Sequence, residues 1–265
     1  MAEKADLYVI KIGGNVIDDP VNLTWFLDHF SDIKGKKILV HGGGKLATEL
    51  AQKLGVQQQM IDGRRITDEE TLKIVTMVYA GYINKNIVAR LQARGCNSLG
   101  LTGADGGLLE AEKRKHPTID YGYVGDVMSS RFMIIRWARL LEHHTLVMAP
   151  ITHDYRGQLL NTNADTIAQE IARGLSGMYN VHLIYSFEKS GVLLDVNDES
   201  SVINTINPAY YAELKEKGLI FAGMLPKLDN AFEAVNNGVK RVIIGKAEQL
   251  DELVKGNAGT TIAND

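Results

Sequence analysis

A three-layer α-β-α sandwich around a mainly parallel central sheet is the α/β architecture that this chain of 265 residues predicts. Two observations predict it. Short apolar runs alternate with helical patterns along the chain, and the first two runs end in glycines. Alternation of that kind gives a parallel sheet covered by helices on both faces. In open sheets of this class, the carboxyl ends of the strands are where ligands sit.

Each element has its own signal. "LYVIKIGG" reads as a buried strand ending in glycines, and "VNLTWFLDHFSDI" places Leu23, Phe26, Leu27 and Phe30 at helical spacing. "KKILVHGGG" is a second strand. "KLATELAQKLGV" is a helix with Leu46, Leu50 and Leu54 on one stripe and Gly55 as its stop. A long helical stretch covers 69–94, "SLGLTGADGG" is a short strand and turn, and 120–127 reads as a hairpin or loop. "TLVMAPITHD" is a buried strand, and "NADTIAQEIARGL" is a helix with Ile167, Ile171 and Leu175 inside. "VHLIYSF" is a strand, two helical patterns follow, and "RVIIG" closes the series. A lobe boundary is expected at 176–180, dividing the chain into 1–176 and 177–265.

Composition narrows the function. A net charge of −3 advertises no broad basic surface, which disfavours nucleic-acid and membrane partners. The one cysteine, Cys96, cannot form an intrachain disulfide and reads as a small buried hydrophobe, so a reducing compartment is the simplest context. The apolar run at 7–10 is too short for a signal peptide, and no segment approaches the roughly 20 apolar residues of a membrane span, so a cytoplasmic location is expected.

Runs of glycine cost stability inside an element, by about 0.5–1 kcal/mol each relative to alanine. Two such loops, "KIGG" and "HGGG", therefore point to anion binding, with backbone N–H groups and the next helix start facing a ligand. Tight strand-to-helix turns are the plainer alternative. Neither loop has the P-loop or dinucleotide pattern, so the phosphate site is of another design.

"KIGGNVI", "VHGGG", "DGRRIT", "LNTNADTIA" and "GMLPKLDNA" occur in an order and spacing that resemble the amino acid kinase family, in particular its acylglutamate branch. The resemblance runs from about Val9 to "GTTI". It implies an enzyme that moves the γ-phosphoryl group of ATP, with Mg2+, to the side-chain carboxylate of an N-acyl-L-glutamate, a step of arginine biosynthesis. The N-terminal lobe would bind the acylglutamate and dimerise, and the C-terminal lobe would bind ATP. A carboxylate is already ionised near neutral pH, so no general base is needed, and the site must neutralise charge and hold two anions in line.

By this resemblance Lys11 touches the transferred phosphoryl group, and Lys227 is a second catalytic lysine. Pro226, unusual beside it, is tolerable if the helix starts there. Asp165 cannot be a needed base. It would hold the two lysines by charge-assisted hydrogen bonds, or cap its helix, or both. Arg65 resembles the arginine that grips the substrate α-carboxylate, and Asn161 the residue that hydrogen-bonds the amino-acid substrate. Gly43 and Gly44 offer donors to the phosphoryl group or the substrate carboxylate, and Gly13 and Gly14 to the β- and γ-phosphates. Nucleotide contacts fall on 186–191, with Ser186 and Gly191 named, although "IYSFEKSGVLL" lacks the family's aspartate there and Glu188 would have to substitute. His41 reads as structural, because this transfer has no proton for it to move. No protein ligand to metal is named.

Arg64 departs from the aliphatic residue common before the gripping arginine. A second cation suits a second carboxylate, hence an N-succinyl substrate, unless Arg64 points to solvent as strand alternation allows. The additional N-terminal helix of arginine-inhibited hexameric members has no room ahead of the strand at Leu7. A homodimer not regulated by arginine in that manner is expected, with 69–94 as its dimer element.

Overall fold

The computed structural model describes residues 4–61, 64–129, 132–195, 197–220 and 224–264, with Pro226 as backbone only. Residues 62–63 and 223, which belong to two of the motifs above, lie outside the described residues.

Eight strands form the central sheet. In chain order they are β1 (Asp6–Ile12), β2 (Lys36–His41), β3 (Ser98–Leu101), β4 (Thr145–Met148), β5 (Asn180–Phe187), β6 (Thr205–Ile206), β7 (Arg241–Lys246) and β8 (Thr260–Ile262). Their spatial order is β6-β8-β7-β5-β1-β2-β4-β3. Neighbours run parallel except β7 and β8, which are antiparallel. The chain builds outward from β1 on one side through β2, then returns to place β5 on the other side. The carboxyl ends of β1 and β5 thus flank the point where strand order reverses, where a crevice opens in folds of this class.

Helices cover both faces. One core packs Trp137, Ile167, Ile171, Leu175, Leu228 and Phe232 against Val9, Val40 and Leu183. The other packs Phe26, Leu27, Phe30, Ile83, Ile87 and Leu91 against Ile10, Ile12 and Leu39. β1 serves both cores because its side chains alternate between faces. Cys96 is buried and free.

Three departures from the sequence reading have physical causes. "TLVMAPITHD" is not one strand. Pro150 has no N–H to give a ladder, so β4 stops at Met148 and Ile151–His153 pairs antiparallel with Leu159–Asn161. "RVIIG" is not the last strand, since β8 follows it antiparallel. The stretch 69–94 is not one regular helix. It is α-helical over Glu69–Thr76 and Asn84–Gln92, with Met77–Ile83 between them wound as a π-helix. The Asn84 N–H accordingly reaches back to the Tyr79 carbonyl.

Among the described residues, no helix is long and apolar enough to cross a membrane.

Candidate active site

Two clefts open at the carboxyl edge of the sheet, one beside each glycine loop. The first, of about 240 Å³, is lined by Gly42, Gly43, Gly44, Arg64, Arg65, Tyr79, Arg114, Asn161 and Thr162, among others. The second, of about 380 Å³, is lined by Gly13, Gly14, Asn15, Ser186, Phe187, Glu188, Gly191 and Lys227, among others. The sequence-nominated residues thus divide cleanly. Gly43, Gly44, Arg65 and Asn161 fall in the first cleft, and Gly13, Gly14, Ser186, Gly191 and Lys227 in the second.

Lys11 and Asp165 form an ion pair with Nζ and Oδ1 2.8 Å apart. Lys11 closes β1 and is only 9% exposed, so its charge needs that partner. Asp165 sits in the first turn of the helix Ala164–Leu175, whose cap is Asn163: the Asn163 side chain accepts from the N–H groups of Asp165 and Thr166. Capping therefore falls to Asn163, and the Asp165 carboxylate is left for the lysine.

Lys227 reaches the same place from another element. It is the third residue of the helix Leu225–Asn236, so Pro226 lies in the first turn, where its missing N–H costs nothing. The Lys227 ammonium lies 3.8 Å from the centroid of the Phe187 ring, and the Lys11 ammonium 5.5 Å from the same centroid. Both cations thus share one aromatic ring. Burial pulls the Lys227 pKa below the ordinary lysine value, Asp165 opposes that shift, and Lys11 adds to it. Two cations that repel each other in this way gain from an anion that enters beside them.

In the first cleft Arg65 is anchored firmly. Its Nη2 donates to the Gly44 carbonyl and to Thr48 Oγ1, both at 2.9 Å, and its Nη1 donates to Gln58 Oε1. The guanidinium also hydrogen-bonds Tyr79, which lines the same cleft. Asn161 donates from Nδ2 to Thr67 Oγ1 at 3.0 Å, which leaves its carbonyl oxygen free to accept. Arg64 is exposed yet lines the same cleft as Arg65, so strand alternation does not remove it from the site. Arg114, which sequence reasoning missed, joins them. Asp126 holds its guanidinium through Nε at 3.0 and 3.1 Å and through Nη2.

Two further residues were missed. Phe187 looked like an ordinary strand residue, and Tyr79 lay inside a helical pattern. Neither has a spacing signal, since their roles come from strands and helices that meet only in three dimensions. Ser186, fully buried, has a hydroxyl with no partner among the described residues, and it lines the second cleft as expected. Glu188 lines the same cleft and raises the Lys227 pKa.

Two glycine loops on adjacent parallel strands, with an ion-paired lysine at the end of the first strand and a second lysine beside the same aromatic ring, form a site suited to phosphoryl transfer. The chain belongs to the amino acid kinase family, whose model matches residues 6–246. It is 56% identical over 252 residues to the acetylglutamate kinase of Cytophaga hutchinsonii, covering 95% of each chain. It is 51% identical over 263 residues to that of Bacteroides thetaiotaomicron, covering 99% of each. Among solved structures, N-acetylglutamate synthase from Neisseria gonorrhoeae, complexed with coenzyme A and N-acetyl-glutamate, superposes with a TM-score of 0.80 at 22% identity. That match covers 99% of this chain and 60% of the synthase, and it speaks to the fold alone.

Proposed function

We propose that this chain is an acetylglutamate kinase, which transfers the γ-phosphoryl group of ATP to the side-chain carboxylate of N-acetyl-L-glutamate in arginine biosynthesis. The observation that carries the reading is the convergence of Lys11 and Lys227 on Phe187, a residue that lines the second glycine-lined cleft together with Lys227. N-acetylglutamate occupies the cleft of Gly43, Gly44, Arg65 and Asn161. ATP occupies the cleft of Gly13, Gly14, Ser186 and Gly191. The first belongs to an N-terminal lobe of 1–176 and the second largely to a C-terminal lobe of 177–265.

A carboxylate oxygen forms the new bond to the γ-phosphorus, the bond from that phosphorus to the β–γ bridging oxygen breaks, and ADP leaves with its electron pair. No proton moves, which accounts for a site of cations and amides. Lys11 neutralises the transferred group, Lys227 the nucleotide side, and Asp165 fixes Lys11. Mg2+ would supply further charge neutralisation on the phosphates and would need few protein ligands. Among the described residues no group of three or more His, Cys, Asp or Glu side chains could hold a metal ion, so Mg2+ would arrive with the nucleotide.

A second reading, N-succinyl-L-glutamate as the acceptor, rests on Arg64, a cation in the acceptor cleft beyond Arg65, whereas Arg114 in the same cleft is already paired with Asp126. Hydroxylamine trapping of the acyl phosphate decides between them. Trapping with N-acetyl-L-glutamate supports the first reading, a marked preference for the succinyl compound supports the second, and trapping only with free glutamate or aspartate rejects both.

The assembly we propose is a homodimer through 69–94, where Met77 and Tyr82 are exposed. Sedimentation giving a monomer or hexamer would reject it.

A further inference from the structure

His41 is fully buried, although the phosphoryl transfer has no use for an acid or base. Its surroundings fix its tautomer. Asn84 Nδ2 donates to the Val147 carbonyl at 2.9 Å, and Lys85 Nζ donates to Asn84 Oδ1 at 3.1 Å, so the amide can be oriented only one way. The same Nδ2 lies 3.2 Å from His41 Nε2, which must therefore accept. The proton of the neutral ring then resides on Nδ1, which donates to the Gly42 carbonyl at 2.8 Å. Burial pushes the His41 pKa down to about 4, so the ring stays neutral at neutral pH.

That bond has a geometric consequence. The Gly42 carbonyl and the Gly43 N–H belong to one planar trans peptide and point in opposite directions. With the carbonyl held against the buried ring, the N–H faces away from it, and Gly43 lines the acceptor cleft. The Gly43 N–H has no acceptor among the described residues. The seat of Asn84 is shaped for the purpose, since a Cβ on Gly100 would stand 2.1 Å from Asn84 Oδ1.

We propose that His41 and Asn84 are positioning residues for the acceptor glycine loop: they lock the peptide between Gly42 and Gly43 so that its N–H meets charge developing on the transferred group. This rests on the kinase reading above.

The test compares two amide replacements with the wild-type enzyme. The asparagine nitrogen of His41→Asn reaches the position of Nδ1 and can still hold the Gly42 carbonyl. The glutamine nitrogen of His41→Gln reaches the position of Nε2 and cannot. Misplacing one oriented donor should lower kcat by about 10- to 100-fold in His41→Gln. KM for N-acetylglutamate should stay within about threefold, because the contact matters most in the transition state. His41→Asn should recover most of kcat. Equal kcat in the two variants, or a loss in His41→Gln confined to KM, would overturn the proposal. A purely space-filling histidine predicts that Gln serves at least as well as Asn. Independently of any variant, 15N-histidine NMR of the wild-type protein should show His41 as the Nδ1–H tautomer, and an Nε2–H tautomer overturns the proposal. Absence of acyl phosphate from the wild-type enzyme would reject the kinase reading instead, while the tautomer measurement would still judge the geometry.

Discussion

The two glycine loops look alike in sequence and differ in construction. Gly43 has φ 144°, and a Cβ there would stand 2.2 Å from Ile83 Cδ1 and 3.3 Å from Tyr79 Cδ1. Gly13 has φ −80°, and a Cβ would meet only the Ser186 carbonyl, at 3.7 Å. The acceptor loop is also tied from below by His41 and from the side by Arg65. The nucleotide side is looser. Lys227 makes no hydrogen bond or ion pair among the described residues, and the Ser186 hydroxyl has no partner there. The Gly43 side, where we place the acceptor, is thus held in one shape, whereas the Gly13 side, where we place the nucleotide, holds donors in reserve. The same residue type serves one loop by allowing a backbone shape and the other by leaving open space.

The largest effects should fall on the shared lysines. Lys11→Ala should lower kcat by about 10²–10³-fold, the range seen when one transition-state donor is lost. Lys227→Ala should match it if both cations act on the transferring group. A rise in KM for ATP with kcat unchanged would instead make Lys227 a ground-state nucleotide ligand and break the symmetry between them. Asp165→Asn, which loosens Lys11 without removing it, should cost less than Lys11→Ala.

Next is a pH effect of His41, to which the buried His182 adds in the same direction in wild type and variant alike. The folded-state pKa of His41, about 4, lies below its ordinary value of 6.5. Between those values the unfolded chain binds a proton that the folded chain does not, so stability is fully present above pH 6.5 and is lost as pH falls toward 4. The total is about 3 kcal/mol. Denaturant unfolding at pH 7 and pH 4.5 should show wild type losing more stability than His41→Asn. Parallel losses would mean that the ring is not held neutral.

The glycines themselves come third. Gly43→Ala should destabilise the protein by about 1–3 kcal/mol through backbone strain. Gly13→Ala should stay within about 0.5 kcal/mol in the same melts, because its backbone is ordinary and the space is open. Equal costs would erase the distinction between the loops. The smallest effect concerns Arg64. Arg64→Ala should raise KM severalfold for N-succinylglutamate, if that compound is a substrate, and less for the acetyl compound. No change for either would leave Arg64 as a solvent-exposed rim.

Much of this was legible before any coordinates. Strands that end in glycine carry their own signal, so β1, β2 and the two clefts beside them followed from local pattern. Lys11 and Asp165 stood in motifs whose order was informative. Arg114 did not, because a single arginine just past a short strand acquires meaning only when tertiary packing brings it into the cleft that Arg65 lines. Phe187 was hidden for the same reason: nothing local distinguishes an aromatic that two cations share from one that fills a core. The π-helical stretch was read as plain helix, since apolar spacing over so few residues cannot separate the two windings. His41 reads as structural in the sequence and is buried in the fold, but sequence could not reveal which carbonyl it holds.

The winding of Met77–Ile83, rather than its composition, sets the phase of the helix that follows. Winding the same residues as regular α-helix, with none removed, would turn everything downstream by about 100° about the helix axis, the advance of one residue. Asn84 would swing off its imidazole, and the glycine loop would lose its latch although no residue in either cleft had changed. Outward-facing substitutions at Met77 or Tyr82, by contrast, leave that phase unchanged within one subunit.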